Sequence, residues 1–513
     1  MADREVLVVG AGPTGLVLAL WLARRGIRLR IVDKAPEAGT TSRALVVHAR
    51  TLELYRELGL ADAVVADGLP FTAINLWVRG RHEARATIGD IGAGVSAYPF
   101  MVIYPQDRHE RLLEARLREA GVEVDRACEL VACNLRDDDV QATLRRADGR
   151  EERVVASYVA GCDGAHSKVR EIAGTGFAGG TYQHVFYVAD VTATGPMTND
   201  ELHVALDDID FVAVFPLKGA GRARLVGFVQ ADAQPVGRAL EWTDVSRHAL
   251  DRLQMRIDDV HWFSTYHVHH RVADHFRAGR LFLLGDAAHI HSPVGGQGMN
   301  TGIGDAVNLA WKLADVLRDG AHPRLLDTYE PERIAFARRL VASTDQAFKI
   351  ATSDGPIARV VRTRIVPRVL PPLLRSASLR RLMFRTLSQT AIEYRASALS
   401  RGRAGEVSAG DRLPWVPHAA ASTDNYAPLA TREWQAHVHG DPPAALAQRC
   451  RELGIALHAF AWSGAAAAAG FRRGALYVVR PDGYVGLAEP RADPAALMQY
   501  VRDWALRFTR SAQ

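Results

Sequence analysis

Residues 5–34 read EVLVVGAGPTGLVLALWLARRGIRLRIVDK, and this stretch decides the fold. Glu5 to Val9 is an apolar, β-branched run of the kind found in a strand buried on both faces. GAGPTG follows at once, and LVLALWLARRG then continues without a polar residue until Arg24, as a buried helix requires. LRIVDK supplies a second strand and closes a βαβ unit.

Gly10, Gly12 and Gly15 fall in the turn between strand and helix with GxGxxG spacing, and Pro13 and Thr14 open the helix. Glycines there permit a tight turn, close backbone approach to a pyrophosphate and close helix packing, while the helix N-terminus offers free N–H groups and a positive dipole end. The motif alone is weak. Its placement strengthens it, as does Asp33 at the end of the second strand, roughly 20 residues on, where a carboxylate accepts hydrogen bonds from an adenosine ribose. An acid at that position favours an unphosphorylated ribose. The plainer reading makes Asp33 a surface carboxylate paired with Lys34 or Arg30.

The rest of the chain bounds this reading. Its 513 residues exceed one core at ~150 residues per domain, so three or four units are expected. Apolar residues at 48% and charged residues at 24% exclude a disordered or fibrous chain. The net charge of +5 is mostly Arg spread along the sequence, with no arm for nucleic acid. The densest basic cluster, Arg359 to Arg385, alternates with apolar residues and reads as a solvated helical face, with a membrane or polyanion contact as the lesser reading. Cys128, Cys133, Cys162 and Cys450 show neither CxxC spacing nor a disulfide framework, which fits a reducing cytoplasm and no zinc site. Val6 to Ala23 is interrupted by glycines and preceded by acids, so it is neither a signal peptide nor a membrane span.

The fold class is α/β, or α+β over the whole chain. Residues 1–180 and 276–400 form a discontinuous Rossmann-like nucleotide-binding domain, extended by helices over 345–400. Alternating strands from Gln183 to Ala231 place an antiparallel sheet domain at 181–275. Pro-rich punctuation at GDRLPWVP, Gly410 to Pro417, marks a linker into a C-terminal domain at 405–513.

Two further motifs join the first. YVAGCDGAHSKVR, Tyr158 to Arg170, ends a strand at Asp163-Gly164. RLFLLGDAAH, Arg280 to His289, ends one at Gly285-Asp286 and leads through Pro293 and Val294 into GGQGMNTGIGDAVNLAWKL, Gly295 to Leu313. Together the three motifs resemble the aromatic hydroxylase family of flavoprotein monooxygenases, the p-hydroxybenzoate and phenol hydroxylase type. The resemblance implies FAD on Gly10, Gly12, Pro13, Thr14, Gly15, Asp33 and Lys34, with Asp163 and Gly164 associated with both FAD and the nicotinamide. It also implies that Gly285 and Asp286 meet the ribitol, and that Pro293, Gly296, Gly298, Met299 and Asn300 lie beside the flavin ring. SRALVVHARTLEL, Ser42 to Leu54, and PQDRHERLL, Pro105 to Leu113, extend it and add Arg43 and Gln106 as cofactor contacts. LLDTYEPER, Leu325 to Arg333, is typical of the family and is given a structural role. GDRLPW and YVVRPDGYVG resemble the thioredoxin-like C-terminal domain of longer members, here without a redox dithiol because Cys450 stands alone.

The activity so implied is hydroxylation of a phenolic or polycyclic polyketide-like substrate through a flavin 4a-hydroperoxide, with O2 and NADPH or NADH as a transient co-substrate. A homodimer is compatible with it. A closed apolar pocket is needed to exclude water, and its expected lining is Phe211, Ala213, Phe215, Pro293, Val294 and Gly295. His203, Tyr266 and His267 have the chemistry to polarise a phenol, although a strand-end His or Tyr is more often structural. HVHH at 267–270 lacks a carboxylate partner for a metal. The absence of a WxWxIP motif disfavours a halogenase. A flavin reductase or dehydrogenase on the same scaffold, and a non-catalytic flavin or ligand-binding protein, remain as alternatives.

Overall fold

The computed structural model describes residues 4–39, 44–87, 91–206, 211–229, 240–245, 248–292, 294–352, 355, 360–366, 368–369, 376–417 and 424–508. The opening strand, Arg4–Val9, lies parallel to Leu29–Val32 on one side and to the end of Glu151–Gly161 on the other. Glu151–Gly161 in turn pairs in parallel with Leu281–Leu283. Chain from three distant stretches therefore meets in one sheet, and all three glycine-bearing motifs leave it at the C-terminal ends of parallel strands. That edge is where ligands bind in open α/β sheets. The first helix, Pro13–Arg24, has Gly15 through Leu22 buried, packed between the sheet and the long helix Gly298–Leu317. Its continuous apolar run follows from burial on every side.

A second eight-stranded sheet has the order His289–Ile290, Arg256–Ala273, Phe177–Thr194, Arg222–Val229, Phe211–Pro216, Leu202–Leu206, Ala73–Val78, Arg81–Thr87. The last two strands correct the domain boundaries read from sequence, because residues 73–87 lie within the stretch assigned to the first domain. Ala73–Val78 adds to the edge strand Leu202–Leu206 in parallel, so the sheet is not wholly antiparallel. On the outer face Tyr187, Ala189, Val212, Val214 and Leu225 pack with Val245, Leu250 and Leu253. On the inner face Phe211 joins Phe186, Phe228, Tyr266 and Val268, while Phe215 and Val204 meet Leu45, Val46, Ile103 and Phe384 of the first domain.

The C-terminal strands Gln435–His439 and Ala456–Phe460 pair in parallel across the helix Ala444–Leu453. Leu476–Val479 and Val485–Glu489 follow antiparallel, and the helix Pro494–Trp504 closes the unit. This unit does not hang on a linker, which corrects the reading of the Pro-rich stretch. Ser388, Leu399 and Leu413 are fully buried, and Trp434, Ala436 and Val438 share one core with the nucleotide-binding sheet. The joint also holds buried charge. Glu332 receives Lys312 Nζ at 2.8 Å, Asn308 Nδ2 at 2.7 Å, Ser397 Oγ at 2.6 Å and both terminal nitrogens of Arg480 at 2.9 Å. Burial raises the Glu332 carboxyl, but Arg480 and Lys312 outweigh it and hold the group well below the usual carboxylate range. The motif LLDTYEPER thus acts as a keystone between the domains. In the basic region Val360, Ile365, Val369 and Leu382 are exposed.

Candidate cofactor and substrate site

The first glycine turn shows a division of labour. Gly10 has φ +101°, and a Cβ there would stand 2.3 Å from the Cys162 carbonyl oxygen, where the turn presses on the neighbouring strand end. A Cβ on Gly15 would stand 1.9 Å from the Gly10 oxygen, so Gly15 sets how closely the helix approaches the turn. A Cβ on Gly12 would meet nothing within 4 Å. Gly12 therefore serves open space, at the N-cap of a helix with no side-chain cap. Open space beside uncapped N–H groups fits a pyrophosphate.

Asp33 stands beside this cradle. One oxygen accepts from Ala11 N at 2.6 Å, the other from Ala35 N at 2.8 Å, and Arg126 Nη1 lies 4.0 Å away. The carboxylate ties the turn to the second strand rather than pairing with Lys34 or Arg30. Lys34 is exposed, and Arg30 bonds instead to Asp125 and Glu152. Thr14 Oγ1 is wedged against Gly285 and Gly302, where added Cβ atoms would come within 2.7 and 2.3 Å. This contact brings the third motif up to the first.

Asp163 is occupied by its own turn. It accepts from Ser167 Oγ at 2.5 Å, Lys168 N at 2.7 Å and Val169 N at 3.1 Å, capping the short helix Lys168–Ile172. Gly164 is left-handed at φ +76°. Asp286 is exposed on the turn Gly285–Ala287. That turn rests on Asp305, which accepts from Gly285 N at 3.0 Å, His289 Nε2 at 2.7 Å and Arg333 Nε at 2.6 Å. Burial raises Asp305, but Arg333 and His289 prevail and keep it ionised. Sequence reasoning missed Asp305, although it lies inside the quoted motif as the buried acid of GIGDAVN.

The second glycine turn has Gly295 and Gly296 at φ +77° and +61°, both left-handed, as only glycine adopts readily. Asn300 holds it. Its Oδ1 accepts from His48 N at 2.9 Å and Thr51 Oγ1 at 2.8 Å, and its Nδ2 donates to Val46 O at 2.8 Å and Gly296 O at 2.9 Å. With its amide thus used by the protein, Asn300 acts as a clamp on the turn. His48, also missed although it lies in SRALVVHARTLEL, donates from Nε2 to Gly295 O at 2.9 Å. Burial lowers its imidazole to about 4, so it is neutral there. Gly298 and Met299 begin the long helix beside this turn and are half-buried. Gln106 accepts from Ala44 N at 3.1 Å and donates to Glu110 at 2.8 Å. Arg43 and Pro293 lie outside the described residues, as does the Val294 side chain.

Of the three acid–base candidates, only Tyr266 is on the inner face, packed with Phe211. His203 accepts from Trp77 Nε1 at 3.0 Å and bonds Asn199 at 2.7 Å. It alternates with Leu202 and Val204, which face the first domain, so it points the other way. His267 is exposed. Both are corrected by strand register, which the sequence pattern leaves open. Among the described residues no group of three His, Cys, Asp or Glu is arranged to hold a metal ion.

Comparison with known proteins agrees with this geometry. Residues 3–344 match the family described as FAD binding domain. The chain is 39% identical over 411 residues to a 6-methylpretetramide 4-monooxygenase of Streptomyces rimosus, covering 79% of this chain and 72% of the relative. It is 32% identical over 424 residues to a pentachlorophenol 4-monooxygenase of Sphingobium chlorophenolicum, covering 80% and 76%. The solved structure of OxyS anhydrotetracycline hydroxylase from Streptomyces rimosus superposes with a TM-score of 0.78 at 27% identity, covering 98% of this chain and 99% of that one. With the glycine cradle, the Asp33 turn and the third motif converging on one sheet edge, the chain belongs to the FAD-dependent aromatic monooxygenases.

Proposed function

We propose that the chain hydroxylates a large, flat polycyclic phenol or quinone held between the inner face of the second sheet and the Gly295–Gly296 turn. The observation that carries this reading is the aromatic wall of Phe186, Phe211, Phe228 and Tyr266, continued by Phe215 toward Val46, which touches Gly296. Flat rings stack on such a wall, and apolar walls exclude water. Relatives named for tetracycline-type substrates support the polycyclic class.

Gly10, Gly12, Gly15 and Asp33 are assigned the ADP half of FAD, and Asp286 the ribitol. Asp163 and Asn300 shape the site through the turns they hold. FAD bound there would supply the redox chemistry, accepting a hydride from NADH or NADPH and, once reduced, activating O2. Tyr266 is assigned the orientation and polarisation of the substrate hydroxyl. Residues 405–513 are read as a thioredoxin-like unit without dithiol chemistry, since Cys450 is buried and burial pushes its thiol up to about 11. Four free cysteines fit a reducing cytoplasm. Among the described residues no helix is long and apolar enough to cross a membrane.

The test is NADH and NADPH oxidation with oxygen uptake, measured with and without a panel of phenols and polycyclic quinones. Acceleration by a polycyclic compound, with an oxygenated product by mass spectrometry, is the expected result. Acceleration by simple phenols alone would overturn the substrate class. Reductant oxidation without oxygenated product from any panel member would favour a reductase.

A further inference from the structure

The C-terminal unit reaches the Gly295–Gly296 turn through a continuous set of side chains. Asp482 is fixed by Arg480, at 3.0 and 2.6 Å, and by Trp311 Nε1 at 3.0 Å. Its backbone oxygen accepts from Arg50 Nη2 at 2.5 Å, and the Arg50 guanidinium carbon sits 5.1 Å from the centre of the Tyr484 ring. Arg50 also donates to Glu53 at 3.0 Å. It lies in the first turn of the helix Ala49–Glu57, between His48 and Thr51, the two residues that grip Asn300. Asn300 and His48 in turn hold the Gly296 and Gly295 carbonyls. A cavity of about 20 Å³, enough for a single water, lies among Arg50, Thr51, Asn300, Asp482 and Tyr484.

We propose that Arg50 is a positioning residue through which the C-terminal unit sets the Gly295–Gly296 turn, making that unit part of the cofactor site although it contributes no ligand. The inference rests on the reading that this turn flanks the flavin. The physical reason is that both glycines are left-handed and have no side chain to anchor them. Their position is therefore dictated by whatever holds their carbonyls, and the helix that does so is itself held from the C-terminal side. A buried guanidinium bonded to Glu53 on one side and to the Asp482 carbonyl on the other fixes the helix in rotation as well as depth.

The experiment uses the full-length holoenzyme and readouts that need no substrate: the FAD dissociation constant, the visible circular dichroism of bound flavin and its midpoint potential. Arg50→Met is expected to weaken FAD about tenfold and to change the flavin dichroism, with Arg50→Lys partly restoring both. Thr51→Val, at the near end, is expected to act in the same direction by a few-fold, and the two changes together are expected to be less than multiplicative, since they break one path. Tyr477→Phe is the control, because its hydroxyl is bonded within the C-terminal unit to Ala404 O and Arg472 N. It is expected to lower the melting temperature without altering the flavin. Where Arg50→Met does not fold, Tyr484→Leu takes its place as the far-end variant. Flavin dichroism, affinity and potential unchanged in Thr51→Val and in the far-end variant, or changed no more than in Tyr477→Phe, would overturn the proposal. A wild-type protein whose bound flavin is insensitive to Gly295→Ala would instead overturn the placement of the turn.

Discussion

The two eight-stranded sheets solve opposite problems. The first is built on parallel strands buried on both faces, and the groups proposed to hold the cofactor gather at strand ends, around turns shaped by glycine. The second has one face under its own small helix and the other turned toward the first domain, where the proposed substrate wall is made of side chains. On that proposal cofactor recognition is written largely in backbone conformation, where a single Cβ changes the outcome, and substrate recognition in an aromatic surface, where one side chain can be exchanged at modest cost.

Gly15→Ala gives the largest test of this contrast. Its Cβ would stand 1.9 Å from a backbone oxygen that has nowhere to go. We expect about 3 kcal/mol of lost stability and FAD binding at least a hundredfold weaker, checked by denaturant melts of the apoprotein and by flavin titration. Gly12→Ala separates fold from ligand. It should leave the apoprotein melt unchanged and still weaken FAD about tenfold, because its Cβ fills only open space. Equal destabilisation by both would break the distinction.

On the second sheet, Phe211→Ala is expected to raise KM about tenfold while retaining FAD. Tyr266→Phe should lower kcat more than it raises KM, read by steady-state kinetics on the substrate identified in the panel. A smaller effect concerns pH. Burial lowers His48 and His291 to about 4 from an ordinary 6.5, so the unfolded chain binds protons between those values and the folded chain does not. Stability should fall as pH drops from 6.5 toward 4, by at most about 1.4 kcal/mol per pH unit for each ring. His48→Asn should flatten that slope in urea melts. The smallest effect is that of His203→Gln, expected to leave the pH profile of kcat untouched because its ring faces away from the pocket. A shifted profile would put it back among the acid–base candidates.

The same contrast explains what could be read from the sequence. The strand, glycine turn and helix at residues 5–34 are local in the chain, and hydrophobic period and glycine spacing report them directly. Alternation in Phe211–Pro216 shows two faces but not which one meets the first domain, since that depends on the helix His248–Arg252 and its neighbours Val245 and Leu253 covering the other. The face on which His203 stands is hidden for the same reason. Residues 73–87 were placed with their sequence neighbours, whereas the edge strand Leu202–Leu206, with its backbone groups open for pairing, draws them into the other sheet. The buried cluster of Glu332, Lys312 and Arg480 joins Glu332 to a partner 148 residues away through charges that composition scores as surface. Pro-rich chain around it consequently looks like a linker. The motif marks Asn300 by position only, and the bonds of its amide to Val46, Gly296, His48 and Thr51 are visible only once the chain is folded.

The two longest strands, Phe177–Thr194 and Arg256–Ala273, run from the first domain into the second and pair from Phe177↔Ala273 to Thr194↔Arg256, with register shifts between Thr181 and Val185, Asp190 and Val191, and Thr192 and Ala193. Two domains joined in this way share paired backbone across their junction, so the ribbon acts as a leaf spring rather than a free hinge, and its compliance sits at the register shifts, where a bulge bends a strand.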